Sequence, residues 1–148
     1  MLQRSHDSTV DLDVELARRQ TNENPVYYVQ YAHARIASVL RKAGSERVAA
    51  ALGGATDPGE LHPSERTLIK LLLAFPEEVA EAAARRAPHR ITAYVVDLAQ
   101  VFTAFYRDCQ VVGAEPSVED FRLRLCVATK STIARALDLL GVSAPEEM

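Results

Sequence analysis

One segment of the chain carries an apolar pattern that a long helix would place on a single face. Between residues 89 and 112 the apolar side chains alternate at spacings of four and three: Ile91, Val95, Leu98, Phe102, Phe105, Cys109 and Val112. Because residues three and four apart share one side of an α-helix, this pattern predicts a continuous seam facing other helices. Gly113 follows and is expected to end the helix. The segment is too short for a sustained coiled coil, so a bundle is favoured.

Signals for further helices lie on both sides of this segment. Asn24 suits an N-terminal cap and Gly44 the position after a last turn. Pro76 is expected to end one helix and start the next, while Ser117 caps the last helix and Gly141 ends it. The predicted helices cover residues 25–43, 45–52, 62–75, 76–87, 89–112 and 117–140. The fold class is therefore predicted to be all-α, an antiparallel bundle of about five helices.

The first residues have a different pattern from the helical part. Val10, Leu12 and Val14 alternate with Asp11 and Asp13, which is typical of a strand. This strand would lack a partner, because no strong strand is predicted after it. We therefore predict that residues 1–23 are a linker leaving an upstream element, and that residues 24–148 form the helical domain.

Composition and cysteine usage indicate a cytoplasmic, single-domain protein. A chain of 148 residues can bury one core. No apolar run reaches the roughly 18–20 residues needed to cross a bilayer, and the N-terminus turns polar at once, unlike a signal peptide. Cys109 and Cys126 lie in apolar helical stretches. This favours buried reduced thiols over a disulfide or a redox pair.

The residue types that catalysis requires do not come together in the sequence. The histidines His6, His33, His62 and His89 are dispersed, with no partner at metal-ligand spacing. His62 and His89 stand at predicted helix starts, which favours surface or capping roles. The sequence has no glycine-rich phosphate loop and no pattern of nucleophile, base and acid. We expect no catalytic residue, no metal and no cofactor in this chain.

The helix predicted over residues 25–43 has a polar and aromatic side. Tyr27, Tyr31 and Arg35 lie at i, i+4 and i+8, and Ser38 and Lys42 extend the same strip beside the apolar stripe. Two aromatic faces and two cations can stack on unpaired bases and contact phosphates. The alternative is that the tyrosines widen the apolar stripe and the cations are only solvated.

A second aromatic candidate lies on the long helix. Tyr106 and Gln110 are predicted at i and i+4, one position away from the apolar seam. Tyr106 could therefore edge the core or stand at a groove between two helices.

The net charge of −3 argues against nonspecific binding to nucleic acid. Residues 26–53 nevertheless carry four basic and one acidic side chain, a local net charge of +3 that is compatible with an RNA-binding face.

Several segments, taken in order, resemble one protein family. They are RSHDSTVDLD (residues 4–13), NENPVYYVQYAHARI (22–36), PHRI (88–91), FYRDC (105–109), ARALDLLGV (134–142) and APEEM (144–148). Together they resemble the C-terminal DALR anticodon-binding domain of arginyl-tRNA synthetases over essentially the whole chain. The tyrosine-rich helix and the terminal Pro-Glu-x-Met are the specific parts.

The resemblance implies an all-helical bundle that holds the anticodon loop of arginine tRNA. His33 and Arg35 belong to the family motif as structural support. The implied partners are tRNA of the arginine isoacceptors and the catalytic domain of a parent arginine–tRNA ligase. That domain uses ATP and has no counterpart in this chain, which is expected to be a monomer. The residues implied at the anticodon are Tyr31, Tyr106, Gln110 and Met148.

Two residues depart from the family pattern. Where the family commonly has arginine before its last methionine, this chain has Glu147, and where it often has arginine or an aromatic residue after the cysteine, this chain has Gln110. Each change removes a group that favours RNA. An alternative function is therefore a free-standing DALR-like bundle that acts as a protein-interaction or regulatory module, with its tyrosines as interface anchors.

Overall fold

The part of the chain that the structure describes, residues 24–55 and 57–148 of a computed structural model, is built from helices. The helices are α1 (Pro25–Ala43), α2 (Ser45–Gly53), α3 (Pro63–Ala84), α4 (His89–Asp108) and α5 (Pro116–Leu139). No strand occurs among the described residues, so the predicted all-α fold of about five helices is confirmed. The predicted strand and linker over residues 1–23 lie outside the described residues, and that domain boundary stays a prediction.

Helix α1 begins and ends where the sequence predicts. The Asn24 side chain accepts a hydrogen bond from the backbone N–H of Val26 at 3.1 Å, and Pro25 occupies the first turn, where its missing N–H costs nothing. At the other end Gly44 has a φ of 91°, a conformation that residues with a side chain rarely adopt. These two caps fix the length of the helix that carries the polar strip.

The seam of α4 forms the centre of the core. Leu98, Phe102 and Phe105 are at most 1% exposed, and α4 contacts α1, α3 and α5. The predicted seam is thus confirmed, but its helix is shorter than predicted. Helix α4 ends at Asp108, and Cys109 is extended, with φ −123° and ψ 118°. Cys109 and Val111 are buried in alternation, which is the pattern of an extended segment.

The prediction that Pro76 separates two helices is wrong, because α3 continues through this residue. A proline inside a helix removes one hydrogen bond and crowds the preceding turn, at a cost of about 3 kcal/mol. Packing of α3 against α4 offsets this cost. The Phe75 ring lies 5.3 Å from the Tyr94 ring, and the Tyr94 hydroxyl donates to the Leu71 carbonyl at 2.9 Å. These contacts fix the turn just before the proline.

The cap of α5 also differs from the prediction. Glu115, rather than Ser117, is the capping residue, and Pro116 takes the first helical position. The Glu115 carboxylate accepts from the backbone N–H of Ser117 at 3.1 Å and from its hydroxyl at 2.5 Å. The hydroxyl bond is the main reason why the pKa of Glu115 is lowered. At the other end Gly141, with φ 70°, ends the helix as predicted and turns the chain back toward α1.

A buried ion pair joins α3 to α5. Arg122 Nε donates to Glu65 Oε1 at 2.7 Å, and the Glu65 side chain is 2% exposed. The second Glu65 oxygen accepts from the backbone N–H of His62 at 2.7 Å, and His62 Nδ1 accepts from Ser64 N. His62 therefore caps α3, as predicted. The Glu65 carboxylate is hydrogen-bonded through both oxygens, as a buried charge requires.

Both cysteines are free and buried, as predicted. Burial raises the pKa of the Cys126 thiol to about 12 and also raises that of Cys109.

Among the described residues no cluster of three metal-binding side chains occurs. None of the helices described above is both long enough and apolar enough to span a bilayer.

We expect the Cys126 thiol to resist a thiol reagent at neutral pH in the folded protein and to react once the chain is unfolded. Burial raises the pKa of the Cys126 thiol to about 12, so its thiolate stays scarce in the folded protein even above the unfolded value of about 8.5. Above that pH the unfolded state gains stability relative to the folded state. A Cys109→Ala variant isolates the signal of Cys126. Rapid labelling of this variant in the folded state would contradict the prediction.

Removing only one partner of the buried pair should destabilise the fold strongly. Arg122→Met leaves Glu65 buried without its cation, and we expect the free energy of unfolding to fall by about 3–5 kcal/mol. The double variant Glu65→Leu/Arg122→Met should recover most of this loss, because apolar side chains of similar volume can replace a buried pair. Urea denaturation measures both, and equal losses in the two variants would speak against the prediction.

Candidate nucleic-acid interface

The guanidinium of Arg35 on α1 brings together aromatic side chains from two helices. Its Cζ lies 4.8 Å from the centre of the Tyr106 ring on α4 and 5.9 Å from the centre of the Tyr31 ring on α1. Both distances are within the range of a cation–π interaction. The sequence predicted these three residues for one site, and the structure places them together. We call them the aromatic–arginine cluster.

Tyr106 is held in the cluster by a buried aromatic side chain on its core side. Its ring stacks on Phe102 at 6.1 Å with an interplanar angle of 22°, and Phe102 is 1% exposed. One turn away, the Tyr28 hydroxyl lies 3.3 Å from Thr103 Oγ1, a further contact between α1 and α4. Tyr106 therefore satisfies both alternatives that the sequence left open. It edges the core through Phe102 and stands at the boundary between two helices through Arg35.

The predicted strip lies on the outer side of α1, and the core stripe lies on its buried side. Tyr31, Arg35 and Lys42 are exposed, and Tyr31 keeps 41% of its surface accessible. Tyr27 is half-buried, so it contributes less open surface than its spacing suggested. The core stripe consists of Val29, Ala32, Ile36 and Val39, all buried. For Tyr31, the alternative that the tyrosine only widens the core is inconsistent with this exposure.

The C-terminal tail, residues 142–148, runs along the other flank of α1. The Gln30 amide donates to the Ser143 carbonyl at 2.8 Å. His33, which is 2% exposed, places Nδ1 2.7 Å from the Pro145 carbonyl. A carbonyl can only accept, so Nδ1 must carry the proton in this contact. His33 therefore holds the tail, which agrees with the structural role that the family resemblance implies.

Two carboxylates of the tail face cations. Lys130 on α5 lies 2.8 Å from Glu146 and is the main reason why the pKa of that carboxyl is lowered. Arg41 donates to the Glu146 carbonyl at 3.2 Å and lies 3.7 Å from the Glu147 carboxylate. The Arg41–Glu147 pair is exposed, so it is weak and screened by salt. Glu147 nevertheless offsets one of the basic charges of α1.

In the described part of the chain, no hydrogen bond, ion pair or ring contact joins Gln110 or Met148 to the aromatic–arginine cluster. The prediction that Gln110 lies one turn beyond Tyr106 on the same helix is wrong, because α4 ends at Asp108. The Gln110 amide instead donates to the Val112 carbonyl at 3.1 Å within its own loop. Met148 is 53% exposed and follows Glu147, so it lies toward the Arg41 end of α1.

Sequence reasoning missed the residues that hold this site in place. Phe102 was predicted only as a core residue, whereas it also supports Tyr106. Gln30, Arg41 and Lys130 anchor the tail. Gln30 and Arg41 donate to main-chain carbonyls, which any residue type can offer, so no pattern of side chains could have indicated those two contacts.

Comparisons with known proteins agree with this fold and identify its family. Residues 29–148 match the DALR anticodon binding domain family. The chain is 48% identical to the arginine–tRNA ligase of Caldanaerobacter subterraneus over 146 residues, which cover 98% of this chain and 26% of that protein. It is 49% identical to the arginine–tRNA ligase of Desulforudis audaxviator over 148 residues, again covering 98% and 26%. The chain thus spans about a quarter of the length of these relatives.

Solved structures give the same result. The Thermus thermophilus arginyl-tRNA synthetase superposes with a TM-score of 0.73 at 40% identity, over 89% of this chain and 22% of that one. A provisionally named arginyl-tRNA synthetase from Campylobacter jejuni superposes with a TM-score of 0.88 at 30% identity, over 99% of this chain and 32% of that one. The chain belongs to the DALR anticodon-binding domain family and matches the arginine–tRNA ligases that contain this domain.

Proposed function

We propose that this domain binds the anticodon loop of arginine tRNA and positions the tRNA for aminoacylation by an ATP-dependent catalytic domain of the same ligase. The family assignment supports the class of ligand. The observation that carries the proposal is the Arg35 guanidinium over the rings of Tyr31 and Tyr106, on the accessible side of α1. In this proposal the domain works as a monomer in the cytoplasm and itself needs no cofactor.

Tyr31 would provide the stacking surface for an unpaired base. Its ring is 41% exposed and is held from one side by Arg35. Anticodon bases are single-stranded, and such bases stack readily on aromatic side chains and on guanidinium planes. Tyr106 has less free surface, because Phe102 and Arg35 lie against its ring. Tyr106 therefore acts mainly by keeping Arg35 in place and by lining the edge of the site.

The cations of α1 would contact the backbone of the loop. Arg35 and Lys42 are exposed on the same strip. A guanidinium can stack with its face and donate hydrogen bonds from its edge at the same time, so Arg35 can hold a ring and meet a phosphate or a base carbonyl. Lys42 adds a point charge about two turns further along. Met148 would line the site near the end of the tail, whereas Gln110 would reach RNA only from its loop.

Binding of the full 148-residue chain to arginine tRNA, compared with a copy carrying a changed anticodon, tests the proposed ligand directly. We expect the changed copy to bind more weakly, because the two RNAs differ only in the bases that the site would contact. Equal affinity for both would overturn the anticodon-binding proposal. It would favour the alternative of a protein-interaction module.

The variant Tyr31→Ala should weaken binding of arginine tRNA without affecting the fold. Loss of one base–aromatic stack costs about 1–3 kcal/mol, which is roughly a 5- to 150-fold increase in Kd. The control is Arg85→Ala at the end of α3, where an exposed arginine pairs with Glu81. This control removes a cation far along the chain from the strip. Equal effects of the two variants would show that the loss of affinity does not depend on the Tyr31 ring.

Binding should weaken moderately with salt. If Arg35 and Lys42 each meet one phosphate, the logarithm of the association constant should fall with the logarithm of salt concentration at a slope of about −1.4, since each contact to a single strand contributes about −0.7. Lys42→Ala should reduce this slope by about one contact, or roughly 0.7. A titration series between low and physiological salt measures the slope. A flat line for the unaltered chain would rule out phosphate contacts by these residues.

A further inference from the structure

The end of α4 is held by a side chain from another helix. Beyond Asp108 the chain is extended, so the Gln110 carbonyl has left the helical hydrogen-bond pattern. Arg122 on α5 donates to this carbonyl from Nη1 at 2.8 Å. The neighbouring residues Cys109 and Val111 are 2% and 3% exposed, so the segment is packed closely against the core around this bond.

Arg122 is itself fixed by a buried carboxylate. Its Nε donates to Glu65 Oε1 at 2.7 Å, and the other Glu65 oxygen accepts from His62 N at 2.7 Å. The Arg122 side chain is 16% exposed and the Glu65 side chain 2%. One carboxylate and one guanidinium thus connect the start of α3, the end of α4 and the second turn of α5.

This network lies next to the last turn of α4, which carries Tyr106. Tyr106 precedes the final helical residue by two positions. Asp108 in the same turn accepts a hydrogen bond from the Ser64 hydroxyl at 2.7 Å, beside the Glu65 end of the network. The Tyr106 ring must stay close to its place to keep the 4.8 Å contact with Arg35. Cation–π attraction requires the cation within about 6 Å of the ring centre, so a small movement of this turn would weaken it.

We propose that Arg122 is a positioning residue for the aromatic–arginine cluster. By fixing the Gln110 carbonyl it sets where α4 ends and therefore where Tyr106 meets Arg35, and Glu65 holds the guanidinium in the orientation that this requires. The effect of Arg122 on RNA rests on the proposed function, whereas its effect on the Tyr106–Arg35 contact does not. Among the side chains that the structure describes, no hydrogen bond or ion pair joins the network to Tyr31 or Arg35, so we assign its influence on the cluster to Tyr106.

The chemistry of the network calls for an arginine. The guanidinium donates from Nε to a carboxylate and from Nη1 to a carbonyl, in one plane and at fixed angles. A lysine in its place could pair with Glu65, but its ammonium is a compact point charge without this forked geometry. Arg122→Lys therefore retains the charge and loses the linkage to the end of α4.

The test measures the Arg35 side chain directly by NMR in the full chain without RNA. Aromatic rings shift nearby protons upfield, so the Arg35 side-chain protons report their distance from Tyr106 and Tyr31. We expect Glu65→Leu/Arg122→Met, a variant that avoids an unpaired buried charge, to lose most of the upfield shift. Arg122→Lys should lose it too while keeping the carboxylate cap at His62. The control is Ile133→Val, which perturbs the buried core of α5 about three turns away from Arg122.

The outcomes separate a positioning role from a merely structural one. Loss of the Arg35 shift in both network variants, with the shift intact in Ile133→Val, supports the proposal. Unchanged Arg35 shifts in either network variant, with native circular dichroism, would overturn it. An equal loss in Ile133→Val would also overturn it, because the effect would then follow any weakening of the core. If the Arg35 shift is lost but affinity for arginine tRNA is unchanged, the positioning role stands and the proposed function of the cluster fails.

Discussion

The apolar seam of α4 is the constraint on which the rest of this structure depends. Leu98, Phe102 and Phe105 are almost completely buried, and their helix contacts α1, α3 and α5. Burial of side chains of this size contributes about 1.5–3 kcal/mol each before entropic costs. Since the seam fixes how α1 and α4 lie side by side, it also decides that the edge of the core carries Tyr106 and that Arg35 is within reach of it.

The seam alone does not place the helix ends and the tail, which are held by side chains that donate to main-chain carbonyls. Arg122 fixes the segment after α4, His33 fixes the tail, and Arg124 donates to the Ala51 carbonyl at 2.6 Å at the end of α2. Backbone carbonyls outside regular structure need such partners once they approach a core. One of these segments, the tail, also lies along α1, the helix that carries the strip.

Much of the fold could be predicted because its signals are local. The cap at Asn24, the glycine after α1 and the seam of α4 follow from residues close together in sequence. The effect of Pro76 was mispredicted because the contacts that stabilise the helix around it come from α4, which is distant in sequence. The end of α4 was misplaced because Cys109 is buried in either a helical or an extended conformation, and a long-range bond from Arg122 favours the extended one.

The site residues also divide into those that local spacing predicts and those that depend on long-range contacts. Helical spacing placed Tyr31 and Arg35 on one strip, since that geometry is internal to α1. Helical spacing misplaced Gln110, because its position depends on where α4 ends. Spacing also gave no indication of how the tail is held, because the contacts of the tail are mainly through its main-chain carbonyls. What the family resemblance added was the pairing of Tyr31 with Tyr106, and the Arg35 guanidinium is the physical link between those two rings.

The claim that Tyr31 stacks on an anticodon base is tested most directly by a double-mutant cycle between protein and RNA. Each anticodon nucleotide of arginine tRNA is made abasic in turn, and its affinity is measured with the unaltered chain and with Tyr31→Ala. At one position the two changes should be non-additive by about 1–3 kcal/mol, the strength of one base–aromatic stack. Additive effects at every anticodon position would contradict the account.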